Sequence, residues 1–274
     1  MVVARKEKTA GPVGQSVLRN DVLEKATGAA VYTDDIQFGP GLLFARVKRS
    51  PVPHGILKKV DVSKALALPG VKGIVTGKDY PDLMGLYLKD RATFAVDRVR
   101  FIGEPVAAVA AVTEEIAEAA LELIELEIEE LPAVFDPEVG AQKDAPLLHP
   151  NLENYVHPNF IFPEAGTNVS NHFKIRRGDV ESAWPKCAAI VETKVRVPHI
   201  QHVPIETHVA IAQADDKGKV TLWSSTQSPF AQRAMLAKTF HVPESDMRII
   251  ATYVGGGFGC KAGVTMEAVP VALA

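Results

Sequence analysis

The chain has 274 residues, of which 47% are apolar and 23% are charged, and its formal net charge is −3. This balance is typical of a globular protein with room for two domains, and it excludes a disordered chain. The apolar runs are far shorter than the roughly 20 residues of a spanning helix, and the first residues lack a signal-peptide core, so we expect a cytoplasmic protein without a membrane partner.

Charges of both signs are interspersed along the chain, which leaves no basic face for nucleic acid. The two cysteines, Cys187 and Cys260, form no CxxC pair. We therefore predict no nucleic-acid partner, and no iron–sulfur cluster or structural zinc held by this chain itself.

The first part of the chain follows an α+β pattern. Residues 1–19 lack periodicity and are predicted to form an N-terminal arm. Alternating or apolar stretches between glycine and proline turns predict strands, and a short helix from Ser63 to Leu68 ends at Pro69-Gly70. The predicted strands are 29–33, 42–47, 56–60 and 71–76.

A second group of elements completes this first domain, which we assign to residues 20–131. Residues 98–112 hold two apolar strand segments around the turn Gly103-Glu104-Pro105. Thr113 is a helix N-cap, since it precedes an apolar stripe with helical spacing from Ile116 to Ile124. Residues 125–130 alternate glutamate with apolar residues, which predicts a strand with one solvated acidic face.

Residues 132–171 are rich in proline and poor in periodicity, and we interpret them as a long linker. A second unit over residues 172–274 is predicted from strands at 172–175, 188–197, 205–214 and 219–225, with a hairpin turn at 215–218. A helix from Pro229 to Phe240 has proline in its first turn. A strand from Met247 then enters a glycine-rich loop, and a helix begins within 265–274.

The glycine-rich loop is the first candidate site. Gly255, Gly256, Gly257 and Gly259 surround Phe258, and such a backbone can lie bare against a ligand that is flat or anionic. Residues 257–262 also satisfy GxGxxA, although no acidic ribose partner follows about 20 residues later. A phosphate-binding P-loop requires Gly-Lys-Ser/Thr, whereas Lys261 follows Cys260 and precedes Ala262. A dinucleotide site and a purely structural turn remain alternatives to a cofactor loop.

Three histidines lie close together in the sequence and form the second candidate site. His199 and His202 lie between Pro198 and Pro204, so they will not sit on a regular helix, and the HExxH arrangement of zinc hydrolases is absent. We therefore assign no metal ligands here and prefer surface or supporting polar roles for these histidines.

Several motifs together resemble one family. Residues 226–230 (TQSPF), followed by Gly255–Gly259 and Lys261, resemble the molybdenum-binding subunit of the xanthine dehydrogenase and aldehyde oxidase family. The earlier segments resemble that family's α/β hammerhead domain, and the similarity runs from about Asn20 to the last residue. The matching segments are YTDD (32–35), FARVKRSP (44–51), LPGV (68–71), VRFIGEPVAAV (99–109), GDV (178–180) and PIETH (204–208).

The resemblance implies an α/β hammerhead domain followed by an incomplete molybdopterin-binding domain. It also implies a molybdopterin-type cofactor, either plain or as the cytosine dinucleotide, held by Gln227 beside the molybdenum oxo group and by Gly256, Gly257, Phe258 and Gly259. The implied reaction oxidises an aldehyde or an aromatic or N-heterocyclic small molecule with water as the oxygen source. Electrons would pass to an iron–sulfur subunit with a 2Fe–2S cluster and to an FAD subunit.

Two departures from the family pattern limit this interpretation. Xanthine-oxidising members carry a glutamate directly after the loop lysine, where this chain has Ala262 and Gly263, so a purine substrate is disfavoured. The family's general base lies beyond the matching region, and we assign no catalytic residue and no metal ligand in this chain. A C-terminal molybdopterin-binding portion or subunit is therefore an expected partner, and a non-catalytic scaffold and a dinucleotide-binding reductase are the alternative functions.

Overall fold

The structure is a computed structural model that describes residue 11 and residues 13–274. The helices are α1 (Val22–Thr27), α2 (Ser63–Leu66), α3 (Glu114–Glu122), α4 (Pro137–Gly140), α5 (Pro229–Thr239) and α6 (Ala268–Leu273). The strands are β1 (Phe44–Arg49), β2 (Gly55–Asp61), β3 (Val71–Thr76), β4 (Arg98–Val99), β5 (Pro105–Ala111), β6 (Glu125–Glu130), β7 (Ala210–Ala214), β8 (Val220–Ser224) and β9 (Met247–Ala251). Much of the predicted arm, residues 1–10 and 12, lies outside the described residues.

Two antiparallel three-stranded sheets form the first unit, with strand orders β1-β5-β3 and β4-β2-β6. Strand β5 is central because it is an apolar run, and its residues from Val106 to Ala111 are all buried. In β6 the half-buried Leu126 and Ile128 alternate with exposed glutamates. The predicted solvated acidic face is therefore confirmed.

Helix α3 covers the sheet that contains β5. It begins where predicted, since the hydroxyl oxygen of Thr113 accepts a hydrogen bond from the amide of Ile116 at 3.3 Å. Ala117 and Ala120 on its inner face are fully buried, and Ala120 packs in one cluster with Val109 of β5. Small side chains on this face let the helix approach the sheet closely.

The second unit contains the sheet β7-β8-β9. Strands β7 and β8 form an antiparallel hairpin through the turn at 215–218, as predicted, with Gly218 at φ 80°. Strands β8 and β9 are parallel, and α5 forms the crossover between them. Helices and sheets occur in both units, which confirms the predicted α+β class.

The two units share apolar contacts. Val269 and Ala272 of α6 pack in one buried cluster with Phe94 and with Ala108 of β5. The second unit therefore rests directly on the central strand of the first. Across the described residues, no helix combines the length and apolar character needed to cross a bilayer. The cytoplasmic location stays a prediction.

Three predicted strands are wrong. In 29–33, Tyr32 makes a single bridge to Tyr253, and Thr33 begins a 3-10 turn. Residues 172–175 and 188–197 are exposed and form no strand among the described residues. An isolated alternating segment does not form a stable strand, because a strand requires a hydrogen-bonded neighbour and an apolar face to cover.

The predicted strand at 205–214 begins late, at Ala210. Glu206 instead contacts the glycine loop, since its amide donates to the Gly255 carbonyl at 3.3 Å. Glu206 therefore supports the loop, and residues 205–209 lie outside strand β7.

Candidate functional site

The candidate site lies at the carboxyl ends of two neighbouring parallel strands. Strand β8 ends at Ser224 and is followed by Gln227, while β9 ends at Ala251 and is followed by the glycine loop. Parallel strands bring such loops to the same edge of a sheet, where α/β folds commonly bind ligands. Helix α5 also begins there, at Pro229, and its first turn contributes a partial positive charge.

Gln227 and the glycine loop contact each other. The side-chain oxygen of Gln227 accepts a hydrogen bond from the Gly259 amide at 3.0 Å. This leaves the side-chain nitrogen without a hydrogen-bond partner among the described residues. The Gln227 backbone amide also donates to the Lys261 carbonyl at 2.9 Å, and the Ser228 hydroxyl donates to the Ala262 carbonyl. The structure thus brings together the residues singled out from the sequence.

The glycines are required by close contacts and by backbone conformation. A Cβ built on Gly257 would lie 2.5 Å from the Gln227 side-chain oxygen, and one on Gly255 would lie 2.5 Å from the Glu206 Cβ. Gly256 and Gly259 have φ values of 108° and 102°, which side-chain-bearing residues rarely adopt. A side chain at Gly256 or Gly259 would strain this path, and one at Gly257 would displace the Gln227 side chain.

Phe258 is the exception inside this loop. Its φ is 51°, which is rare for a bulky residue, and its side chain is 75% exposed. The surrounding contacts therefore hold an apolar ring away from the core in a strained conformation, a combination typical of functional loops.

A buried ion pair lies behind the loop and was not predicted. Lys261 is fully buried, and its ammonium group donates to a carboxylate oxygen of Glu206 at 2.7 Å. The same oxygen accepts from the Ser225 hydroxyl at 2.5 Å and from the Gly255 amide at 2.7 Å. Sequence reasoning missed this pair because 55 residues separate its members.

The pairing with Lys261 affects the charge state of the Glu206 carboxylate. Burial alone would raise the pKa of Glu206, but the hydrogen bonds from Lys261, Ser225 and the Gly255 amide outweigh it and lower the pKa below its ordinary value. Glu206 is therefore ionised at neutral pH.

The three histidines occupy different surroundings. His208 bonds through Nδ1 to the buried Glu267 at 3.0 Å, and this contact helps lower the pKa of Glu267 although burial acts in the opposite direction. The Nε2 atom of His202 lies 3.7 Å from a Cβ built on Gly259, at the rim of the loop. His199 is exposed. Within the described part of the chain, no group of three acidic, histidine or cysteine residues has the geometry of a metal site.

The cysteines do not form a site. Cys187 and Cys260 are free thiols, and the Cys260 sulfur donates to the Gly257 carbonyl at 2.9 Å. This bond closes the turn after Phe258.

The site is open on one side. Two cavities flank α5, one of 390 Å³ against β9 and one of 320 Å³ against residues 83–89, and neither is lined by the glycine loop. Gln227 and Phe258 are both exposed. A ligand on the loop would therefore be held from one face by this part of the chain.

The residues present fit a flat, anionic cofactor. Bare peptide groups, the first turn of α5 and an exposed aromatic ring meet at one edge of the sheet. A dinucleotide fingerprint fits less well, because it places a helix directly after the glycines, whereas α6 begins only at Ala268.

Comparison with known families agrees with this geometry. The model of the aldehyde oxidase and xanthine dehydrogenase a/b hammerhead domain matches residues 27–132. The model of the molybdopterin cofactor-binding domain matches residues 161–274. The predicted order, a hammerhead domain followed by the first part of a molybdopterin-binding domain, is confirmed.

Curated relatives cover most of this chain. A probable xanthine dehydrogenase subunit of Bacillus subtilis (strain 168) is 38% identical over 90% of this chain and 31% of its own length. The nicotinate dehydrogenase large molybdopterin subunit of Eubacterium barkeri is 32% identical over 93% of this chain and 57% of its own length.

Solved structures give the same result. Reconstituted CO dehydrogenase from Oligotropha carboxidovorans superimposes with a TM-score of 0.79 at 31% identity, over 94% of this chain and 33% of that one. Quinoline 2-oxidoreductase from Pseudomonas putida 86 superimposes with a TM-score of 0.78 at 30% identity, over 93% of this chain and 32% of that one. The chain spans between about a third and just over half the length of these relatives. It belongs to the xanthine dehydrogenase and aldehyde oxidase family and matches the molybdenum-binding subunit.

Proposed function

We propose that the chain forms part of a molybdenum hydroxylase and holds one face of its molybdopterin cofactor. When bound, the cofactor supplies oxidation of a substrate carbon with water as the oxygen source. The contact between Gln227 and Gly259 carries this proposal, because it orients one amide and one stretch of bare backbone toward the same open face.

We assign the cofactor contacts to Gln227, Gly256, Gly257, Phe258 and Gly259. Gln227 uses its oxygen to bind the loop, and its amide nitrogen is left to donate to the cofactor. The glycines expose their peptide groups, since no side chain covers them. Phe258 would offer its exposed apolar ring to the bound cofactor.

We propose three protein partners. A C-terminal molybdopterin-binding portion supplies the opposite face of the cofactor and the general base, either on a separate subunit or on a continuation of this one. An iron–sulfur subunit and an FAD subunit accept the electrons. The nicotinate dehydrogenase subunit supports a divided arrangement, because this chain covers 57% of it but about a third of the other relatives, so molybdopterin subunits in the family differ greatly in length.

The substrate we propose is an aldehyde or an aromatic or N-heterocyclic compound. Ala262 and Gly263 follow the loop lysine, so the glutamate that serves purine substrates in xanthine-oxidising members is missing there. We also propose a hammerhead domain over 20–131, a linker over 132–171 and the start of the molybdopterin-binding domain over 172–274. The cofactor we propose is a molybdopterin, either in its plain form or as the cytosine dinucleotide.

The test is the metal content of the chain co-expressed with its partners. We expect wild-type protein to carry molybdenum and pterin, and Gln227→Ala to reduce molybdenum content or substrate oxidation by about 10- to 100-fold, the usual effect of removing a side chain that supports a metal. Gln213→Ala is the control, because Gln213 is exposed on β7 in the same unit.

Each alternative predicts a different result. A complex that oxidises substrate without molybdenum contradicts the proposal. A chain that assembles with its partners but never acquires the cofactor is a scaffold. Saturable binding of NAD(P)H in a fluorescence titration identifies a reductase.

A further inference from the structure

Lys261 is an unusual buried charge, since all three of its donors are used. Its ammonium group donates to a carboxylate oxygen of Glu206 at 2.7 Å, to the Glu206 carbonyl at 2.9 Å and to the Ser225 hydroxyl at 2.9 Å. An ammonium group has three N–H donors, so none remains for a ligand. The side chain therefore acts inside the protein and not on the cofactor directly.

The ion pair contacts both parts of the site, the glycine loop and the segment of Gln227. On the loop side, the Glu206 carboxylate accepts from the amide of Gly255, the first residue of the glycine loop, at 2.7 Å. On the Gln227 side, the main-chain carbonyl of Lys261 accepts from the main-chain amide of Gln227 at 2.9 Å. The two residues of the charged pair therefore contact both the glycine loop and Gln227, the second through the main chain of Lys261.

Other titratable groups lie around this pair. Lys261 is the charged neighbour that lowers the pKa of Glu206. His202 lies at the rim near Gly259, while Cys260 and the pair His208–Glu267 are already engaged in hydrogen bonds.

We propose that Lys261 is a positioning residue of the cofactor site, which neutralises Glu206 and so keeps the glycine loop at a fixed distance from Gln227. This inference rests on the proposed function for its consequence, cofactor retention, but its structural part concerns this chain alone. Without Lys261, an ionised Glu206, whose side chain is 14% exposed, would lie unpaired behind the face that receives an anionic cofactor.

The proposal predicts a pH signature. In Lys261→Met, burial of Glu206 is opposed only by the Ser225 and Gly255 bonds, so its pKa rises. The loop then stays in place at low pH, where Glu206 is protonated, and loosens as pH rises through the new pKa. In wild type the pKa is lowered, so the loop stays fixed from about pH 5 to about pH 8. The double variant Glu206→Gln/Lys261→Met contains no buried charge and should also be independent of pH.

Hydrogen exchange of the amides over 255–261 in the 274-residue chain measures the loop directly. The exchange rate of each variant is divided by that of wild type at the same pH, which cancels the intrinsic pH dependence of exchange. We expect the Lys261→Met ratio to rise with pH, by up to about tenfold per unit once Glu206 ionises. Lys58→Met is the matched control, because Lys58 pairs with Glu129 at 2.6 Å but both side chains are about half exposed.

Two results would overturn the inference. One is a Lys261→Met ratio near one at every pH. The other is an equal increase at every pH that the double variant shares, which indicates loss of packing alone. Molybdenum content in the co-expressed complex is measured in parallel, and we expect Lys261→Met to retain more at pH 5 than at pH 8. If wild type holds no molybdenum, the proposed function fails, while the exchange result still decides the role of Lys261.

Discussion

Gly257 shows how little space the site leaves for a side chain. A Cβ there would meet the oxygen of Gln227 at 2.5 Å and its Cδ at 2.8 Å. The Gln227 side chain is exposed and can move, so an added methyl group displaces it without breaking the fold. The cost is the bond to the Gly259 amide.

We therefore expect Gly257→Ala to lower molybdenum content in the complex by about tenfold or more, as loss of a supporting contact does. The melting temperature should change little. Combining it with Gln227→Ala should add nothing, because both changes remove the same contact. Gly73→Ala is the control, since a Cβ on Gly73 has nothing within 4 Å. Additive losses in the double variant would show that the two residues act separately.

At the scale of single elements, α3 depends on its first turn. The Thr113 oxygen satisfies the Ile116 amide, and Glu114 and Glu115 lie at the positive end of the helix. The helix covers β5, on which α6 also packs.

Thr113→Ala removes the cap, and we expect it to lower the free energy of unfolding by about 1 kcal/mol. Thr113→Ser retains an oxygen at the same position and should recover most of the loss. Urea unfolding followed by circular dichroism measures both variants. Equal stability of Thr113→Ala and wild type would show that the cap contributes nothing to α3.

Elements with local signals were predictable from the sequence, and elements that need distant partners were not. Thr113 and the hairpin at 215–218 carry their signals in adjacent residues, and both were confirmed. Residues 188–197 alternate as a strand does, yet no neighbouring strand pairs with them among the described residues. The loop and Gln227 were found through their motifs, whereas the pair Glu206–Lys261 appears only when the chain folds back on itself.

At the scale of the whole molecule, the segment that contains His149 is attached to the first unit, because the Arg100 side chain donates to the Leu148 carbonyl at 3.2 Å. Burial lowers the pKa of His149 to about 4, and the nearby charges of Arg100 and Arg98 lower it further in the same direction. Its Nδ1 also lies 3.0 Å from the Tyr155 hydroxyl. The folded protein thus holds a neutral imidazole where the unfolded chain binds a proton.

The sign of the pH effect follows from this difference. Because the folded pKa lies below the ordinary value of 6.5, the stabilisation is fully present above pH 6.5 and is lost as pH falls toward 4. We expect the melting temperature of wild type to fall more steeply from pH 7 to pH 5 than that of His149→Gln. His157→Gln is the control, since His157 is exposed in the same segment. Parallel profiles for wild type and His149→Gln would contradict the assignment.

The contact of α6 with β5 has a consequence for building chimeras from this family. Val269 and Ala272 pack with Phe94 and Ala108, so the sheet of the first unit supports α6, the helix that follows the glycine loop. Exchanging the first unit for that of a homologue with bulkier residues in this contact would tilt α6, and with it the segment that carries Lys261. A chimera should therefore take α6 and the residues that pack against it, Phe94 and Ala108, from the same homologue.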